Sequence, residues 1–170
     1  MHVRAFSATD APAFRRIRLE ALQRHPEAFG ASFAAESATD EAGFTARLAA
    51  NTPPSAIFGA FDGDEIVGMA GFALRGAEKL RHKGVLWGVY LRDSHRGHGH
   101  GRRLVGHVIA HARAHVSALQ ATVVTANADA AALYRALGFV TYGIERDALR
   151  VDGRCFDEAL IELRLGATAA

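Results

Sequence analysis

The sequence predicts one α/β domain of the α+β type, with a mixed sheet of about seven strands flanked by about four helices. Three observations carry that prediction. At 170 residues and 49% apolar content, the chain can bury one sizeable core and is too short for two full domains. After two helical segments the apolar spacing changes from a period near 3.6 to one near 2, and hairpin-forming strands follow. The second half then alternates strand and helix, which requires crossovers and places helices on both faces of the sheet.

Val3 to Phe6 reads as a short strand. Thr9-Asp10 offers side-chain oxygens to cap a helix carrying Phe14, Ile17, Leu19 and Leu22, which His25-Pro26 ends. Arg15, Arg16 and Arg18 on that helix read as solvated surface. Ala28 to Ser37 has no clean period and combines small residues with Phe29 and Phe33, so it is expected to be a loop over a pocket. Thr39 is placed to cap a second helix, with Phe44 and Leu48 inward and Pro53-Pro54 closing it. Ile57 to Phe61, the turn Asp62-Gly63-Asp64 and Ile66 to Leu74 form a β-hairpin pattern. Gly84 to Leu91 is a further strand and holds the only tryptophan, Trp87. A glycine-rich segment, Arg96 to Gly101, leads into a long helix reaching about His115. Leu119 to Thr125 reads as a buried strand, Asp129 to Leu137 as a helix and Phe139 to Ile144 as a strand. Val151-Asp152-Gly153 turns the chain into a last strand, Cys155 to Leu165. The domain is expected to span residues 1–166, with 167–170 a disordered tail.

Charge and composition exclude several classes. A net charge of +2 and a mean hydropathy of +0.03 fit neither a disordered chain nor a membrane protein. A nucleic-acid binder would carry a large clustered basic excess, so neither nucleic acid nor membrane is expected as a partner. Of the 20 basic residues only Lys79 and Lys83 are lysines, and arginine suits fixed-geometry anion recognition where several gather. Cys155 is alone, with no partner for an internal disulfide and no metal-ligand spacing nearby. Met1 to Phe6 lacks the long apolar run of a secretory signal. A cytoplasmic protein is the expectation.

The segment Arg96-Gly97-His98-Gly99-His100-Gly101-Arg102-Arg103 joins a strand to a helix, where free amides and the helix dipole favour an anion. It is not a Walker A loop, because Gly101 is followed by Arg102 rather than by Lys-Ser/Thr. Nor is it a Rossmann fingerprint, because Arg102 stands where the third glycine is required and no acidic residue follows about twenty positions on. A pyrophosphate cradle remains, with glycine amides as donors and Arg96, Arg102 or Arg103 as cations; a flexible glycine turn with solvated arginines is the simpler alternative. Downstream, Asn127 is placed to cap the helix over Asp129 to Leu137, and Gly138 to end it. Tyr134 on that helix needs a polar partner if it is buried.

Together these two segments resemble the GCN5-related N-acetyltransferase (GNAT) superfamily. Arg96-Gly97-His98-Gly99-His100-Gly101 matches its Gln/Arg-x-x-Gly-x-Gly/Ala loop for acetyl-CoA. Asn127-x-x-Ala130-x-x-Leu133-Tyr134-x-x-x-Gly138-Phe139 matches its later motif. The close match covers about residues 84 to 140. The resemblance implies a mostly antiparallel sheet splayed into a V, with the pantetheine arm lying in the split like an added strand. Val89, Tyr90 and Leu91 would pair with that arm through their backbone. Gly97, His98, Gly99, His100, Gly101 and Arg102, with Arg96, would hold the pyrophosphate, and Asn127 would contact the arm. Tyr134 would donate a proton to the departing thiolate. The acceptor would be a primary amine of a small molecule, with a protein or peptide amine, or a non-catalytic acyl-CoA-binding role, as alternatives. The resemblance also allows a homodimer. For the general base, His82, Glu36 or a water chain are the candidates, because the strand over Gly84 to Leu91 has no carboxylate.

Other residues invite simpler readings. His107, His111 and His115 recur four apart, but three ligands along a straight helix span about 12 Å, too far for one zinc. They are expected beside the apolar stripe rather than at a metal, and no metal is expected elsewhere. Cys155 reads as a half-buried strand residue rather than a nucleophile. Trp87 either lines an acceptor site or fills the core. Asp157-Glu158 stands either near the acceptor or on an exposed hairpin.

Overall fold

In the computed structural model, which describes residues 1–166, seven strands form one sheet. The expected tail at 167–170 lies outside the described residues. The strands are β1 (His2–Ala5), β2 (Ala56–Asp62), β3 (Glu65–Leu74), β4 (Lys83–Leu91), β5 (Ala118–Val124), β6 (Val140–Val151) and β7 (Arg154–Arg164). Their order across the sheet is β1-β2-β3-β4-β5-β7-β6. Every neighbouring pair is antiparallel except β4 and β5. That single parallel pair follows from the crossover through α4 (His100–Arg113), since parallel neighbours need a long connection.

The helices are α1 (Ala11–Arg24), α2 (Phe33–Ser37), α3 (Glu41–Ala50), α4 and α5 (Ala128–Ala136). The short α2 lies in the segment expected to be a loop. Ser32 explains it, because its hydroxyl accepts from the Ala35 amide at 3.2 Å and starts one helical turn. Two caps also differ from expectation. A capping box between Ser7 and Asp10 opens a 3-10 turn before α1, with Arg4 bidentate on the Asp10 carboxylate at 2.8 and 2.7 Å. At α3, Asp40 rather than Thr39 accepts the Gly43 amide, at 2.9 Å.

Two apolar clusters cover the two faces of the sheet. On one face, α1 and α3 contribute Phe14, Ile17 and Phe44 against Ile57, Ile66, Met69 and Tyr90 of the strands. On the other, α4 contributes Leu104, Val105, Val108, Ile109 and Ala112, packed with Phe72, Leu86, Val123 and Tyr134 of α5. Each large aliphatic side chain so buried stabilises the fold by roughly 1.5–3 kcal/mol. His111 sits at the edge of this cluster, flanked edge-on by Phe58 and Phe72 at 5.3 Å, with Nε2 2.7 Å from the Pro54 carbonyl oxygen. Among the described residues no three His, Cys, Asp or Glu side chains are grouped to hold a metal ion. No described helix is long and apolar enough to cross a membrane.

Candidate active site

The only parallel pair in the sheet is also its weakest seam. β4 pairs with β5 at Lys83, Gly84 and Val85 alone, opposite Ala118, Leu119 and Gln120. Beyond that point β4 continues to pair with β3, and β5 with β7 as far as Val124. The facing edges of Leu86 to Leu91 and of Ala121 to Val124 therefore diverge with backbone donors and acceptors free, and these edges can accept an extended chain as an added strand.

A β-bulge marks the open stretch. Met69 pairs with Tyr90 and Gly71 with Trp87, so two steps on β3 oppose three on β4. Gly88 absorbs the extra residue at φ +62°, a left-handed conformation that only glycine adopts cheaply. The inserted residue shifts the face alternation by one. Trp87 and Tyr90, three apart, consequently both join the cluster on the α1 side, while Leu86 and Leu91 join the opposite one. The Tyr90 hydroxyl donates to Glu20 Oε1 at 3.0 Å. Burial first, and that carboxylate second, push its pKa up to about 12. Arg92 also donates to Glu20, at 2.8 to 3.0 Å. Burial would raise the Glu20 pKa, but the hydrogen bonds from Arg92 and Tyr90 outweigh it and hold the carboxyl below its ordinary value.

At the end of β4 the chain enters the glycine-rich turn. Gly97 and Gly99 both have φ +77°, and a Cβ on either would meet nothing within 4 Å. Gly99 is the N-cap of α4, no side chain caps the helix, and no acidic residue stands in its first turn. Arg103 N bonds to Gly99 O at 3.0 Å, while the amides of Gly97 through Arg102 make no backbone hydrogen bond among the described residues. An anion site of free N–H groups at a positive helix end results. Arg102 and Arg103 are exposed beside it. Arg96 behaves differently from them, because its guanidinium turns back to the Leu91 carbonyl at 3.0 Å, to Asp93 at 2.8 Å and to His25 at 3.1 Å. It braces the loop rather than projecting from it. His98 Nδ1 is likewise held by the Arg96 carbonyl, at 2.7 Å, and the ring of His100 lies 6.0 Å from that of His98.

Across the split, Asn127 follows β5 and caps α5 by accepting the Ala130 amide at 3.1 Å. α5 approaches α4 closely, since a Cβ on Gly101 would lie 3.3 Å from Leu133 Cδ2. Tyr134 is 7% exposed and packs edge-on against Phe139 at 5.4 Å. Its hydroxyl makes no hydrogen bond among the described residues and is not among the fully buried polar atoms, so it reaches the surface. Burial alone pushes the phenol pKa upward, which keeps it protonated.

Residues 14–139 match the acetyltransferase (GNAT) family. The chain belongs to the GNAT acetyltransferase family. Solved structures share its fold. A GNAT-family acetyltransferase from Streptococcus pneumoniae superposes with a TM-score of 0.86 at 20% identity, over 97% of this chain and 99% of that one. An acetyltransferase from Salmonella typhimurium, solved with its cofactor acetyl-CoA, gives 0.86 at 24% identity, over 100% and 96%. A ribosomal-protein-alanine N-acetyltransferase from Brucella melitensis gives 0.80 at 27% identity, over 96% and 99%. Comparison with curated proteins gives no match.

As a GNAT protein the chain is an acyltransferase that uses acetyl-CoA. Its own residues fit that group, with two open strand edges for an amide-bearing arm and a loop of free amides, open at Gly97 and Gly99, for a pyrophosphate. The base candidates fare less well. His82 sits at the closed end of the split, where its carbonyl accepts the Ser117 amide at 3.0 Å. Six residues of strand separate the pairing end from Val89, roughly 20 Å at about 3.3 Å per residue. The two oxygens of Glu36 face Arg18 at 3.4 Å and Arg47 at 2.7 Å. Asp157 accepts the Asp147 amide at 3.0 Å and Glu158 accepts from Thr122 at 2.9 Å, both within the β5–β6–β7 part of the sheet.

Three features escape sequence reading. Arg18 is buried rather than solvated, and Arg15 is half-buried with bonds to the Thr39 and Ser37 carbonyls. Cys155 is exposed rather than half-buried. The bulge at Gly88 was the one with a usable signal, a glycine inside a strand pattern.

Proposed function

We propose that residues 1–166 act as a single cytoplasmic catalytic domain that moves an acetyl group from acetyl-CoA to a primary amine of a small molecule, by direct attack in a ternary complex. The carrying observation is Tyr134, whose ring is buried while its hydroxyl reaches the surface and makes no hydrogen bond among the described residues, on the helix that follows the open edge of β5. A domain that only bound the cofactor would have no use for a proton donor whose hydroxyl makes no hydrogen bond within the described protein. The exposed free thiol of Cys155 agrees with a reducing compartment.

When bound, acetyl-CoA supplies an activated thioester carbonyl. The open edge over Val89, Tyr90 and Leu91 orients the arm through backbone hydrogen bonds, and Asn127 contacts the arm from the other side. The amides of Gly97 to Arg102 hold the pyrophosphate, with Arg102 and Arg103 adding fixed cations. Arg96 acts on the loop through its bonds to Leu91 and Asp93. Backbone donors at the bulge stabilise the negative charge that develops on the carbonyl oxygen. Tyr134 holds a proton for the leaving sulfur. Transfer of that proton leaves CoA as the neutral thiol and Tyr134 as a phenolate, which takes back through water the proton that the attacking amine loses. The amine loses its own proton through water, since His82 lies at the closed end of the split and Glu36 is paired with Arg18 and Arg47.

A peptide amino terminus is the second reading, favoured by the relative named a ribosomal-protein-alanine N-acetyltransferase. Release of CoA thiol across matched panels of small amines and of peptides decides between the two. Faster turnover of small amines supports the proposal, and turnover of peptides alone refutes its acceptor. Sedimentation of the protein with and without acetyl-CoA tests the homodimer that the family resemblance allows.

A further inference from the structure

Arg18 of α1 is 7% exposed, yet its guanidinium is poorly matched. Nε is buried without any hydrogen-bond partner among the described residues. The side chain makes one bond, from Nη2 to Glu36 Oε1 at 3.4 Å, whereas Arg47 reaches the other oxygen of Glu36 at 2.7 Å. Glu36 is therefore shared, and Arg47 holds it more closely. A guanidinium carries five N–H donors in a planar fork, and most of those on Arg18 are unused. Buried polar groups in folded proteins are nearly always satisfied, so an unsatisfied one marks a place where something else binds.

The position of the fork says what that is. Nη1 lies 3.8 Å from where a Cβ would stand on Gly88, the bulge residue on the open stretch of β4. The ring of Phe29 covers the guanidinium at 5.4 Å, and Trp87 belongs to the same apolar cluster. Arg18 thus meets the split from the α1 face of the sheet. α4 and Tyr134 pack on the opposite face, which the glycine loop assigns to the acyl donor. A nucleophile therefore approaches from the side that Arg18 occupies. The substituent that matches a planar fork in a dry site is a carboxylate, held by two parallel N–H···O bonds.

We infer that Arg18 binds a carboxylate carried by the amine acceptor, so that the substrate class is amino acids and related amino carboxylates. This rests on the small-molecule amine reading above. Glu36 and Arg47 hold the fork in place behind it.

The test uses amines in matched pairs, each amino acid beside its amide and its methyl ester, with thiol release measured for the wild type, Arg18→Lys and Arg18→Met. The wild type is expected to favour the carboxylate member by about 100-fold or more in kcat/KM, as a site built to hydrogen-bond a group rejects analogues that lack it. Arg18→Met is expected to lower the carboxylate members to the level of their neutral partners, mainly through KM. Arg18→Lys, which keeps the charge and loses the fork, recovers part of the preference. The rise in Tm with acetyl-CoA monitors folding and the donor site in each variant. If Arg18→Met shows no such rise, the wild-type preference and the Arg18→Lys KM decide. Equal use of acid and amide by the wild type, or a preference that survives in Arg18→Met, overturns the inference and leaves the amine acetyltransferase intact. Absence of thiol release with every amine, despite a rise in Tm, overturns that reading and this inference together.

Discussion

Replacing Tyr134 by Phe separates chemistry from stability, because turnover should fall while stability hardly changes. The ring is 7% exposed and rests on Phe139, and Phe preserves that packing. Only the hydroxyl is lost, and it has no partner among the described residues. Because the hydroxyl is not among the buried polar atoms without a partner, its removal should change stability by no more than about 0.5 kcal/mol. For a chain of this length that keeps Tm within about 2 °C of the wild type. Loss of a general acid lowers kcat by about 10²–10⁴-fold. Differential scanning fluorimetry, with and without acetyl-CoA, and a thiol-release assay read both quantities on one preparation. An undiminished kcat would remove Tyr134 from proton transfer, and a fall of several degrees in Tm would mean that the hydroxyl is satisfied in the free protein. The pH dependence has a definite sign. Burial raises the folded-state pKa of Tyr134, so its contribution to stability is complete below the ordinary phenol value near 10 and is lost as pH rises beyond it. The Phe variant should therefore lose less stability than the wild type above about pH 10.

Three further outcomes are expected. Gly99→Ala forces a side chain into φ +77° and sets a methyl group among the loop amides; it should cost about 1 kcal/mol of stability and weaken acetyl-CoA binding in calorimetric titration. Joint replacement of Arg102 and Arg103 by Ala should raise the KM for acetyl-CoA about tenfold at low salt, with a smaller effect at high salt where exposed charges are screened. Glu20→Gln removes the acceptor of Tyr90 and Arg92. Because the folded-state pKa of Glu20 is lowered, its contribution is present above the ordinary carboxyl value near 4.3 and is lost as pH falls through the depressed value. Urea unfolding at pH 7 and pH 3 should then show a gap between wild type and variant that narrows in acid.

What could be read from the residues, and what could not, divides along physical lines. The glycine-rich turn at the start of α4 was legible because it depends on backbone conformation. Gly97, Gly99 and Gly101 are present for conformation and close approach, and residue type records both. The mixed sheet was legible too, since the change from strand after strand to alternating strand and helix leaves a signature in hydrophobic period; its strand order was not read from the residues. The surroundings of Arg18 were not legible. Arg15, Arg16 and Arg18 look alike in the chain, and only the packing of α2 and Phe29 over α1 distinguishes a buried guanidinium from solvated ones. Ser32 as a cap for five helical residues is too local a signal to outweigh an aperiodic neighbourhood. Arg96 fits the phosphate-loop motif by position, but its side chain turns to the Leu91 carbonyl, a choice made by Asp93 and His25 from outside the motif.

The most direct measurement of the central claim is the coupled appearance of CoA thiol and N-acetylated amine when acetyl-CoA is mixed with a panel of small primary amines, followed by mass spectrometry. Thiol and acetylated product should appear in equal amounts, and only when amine and acetyl-CoA are both present. Thiol release without acetylated amine, or no release from any amine while acetyl-CoA leaves the melting temperature unchanged, would contradict it.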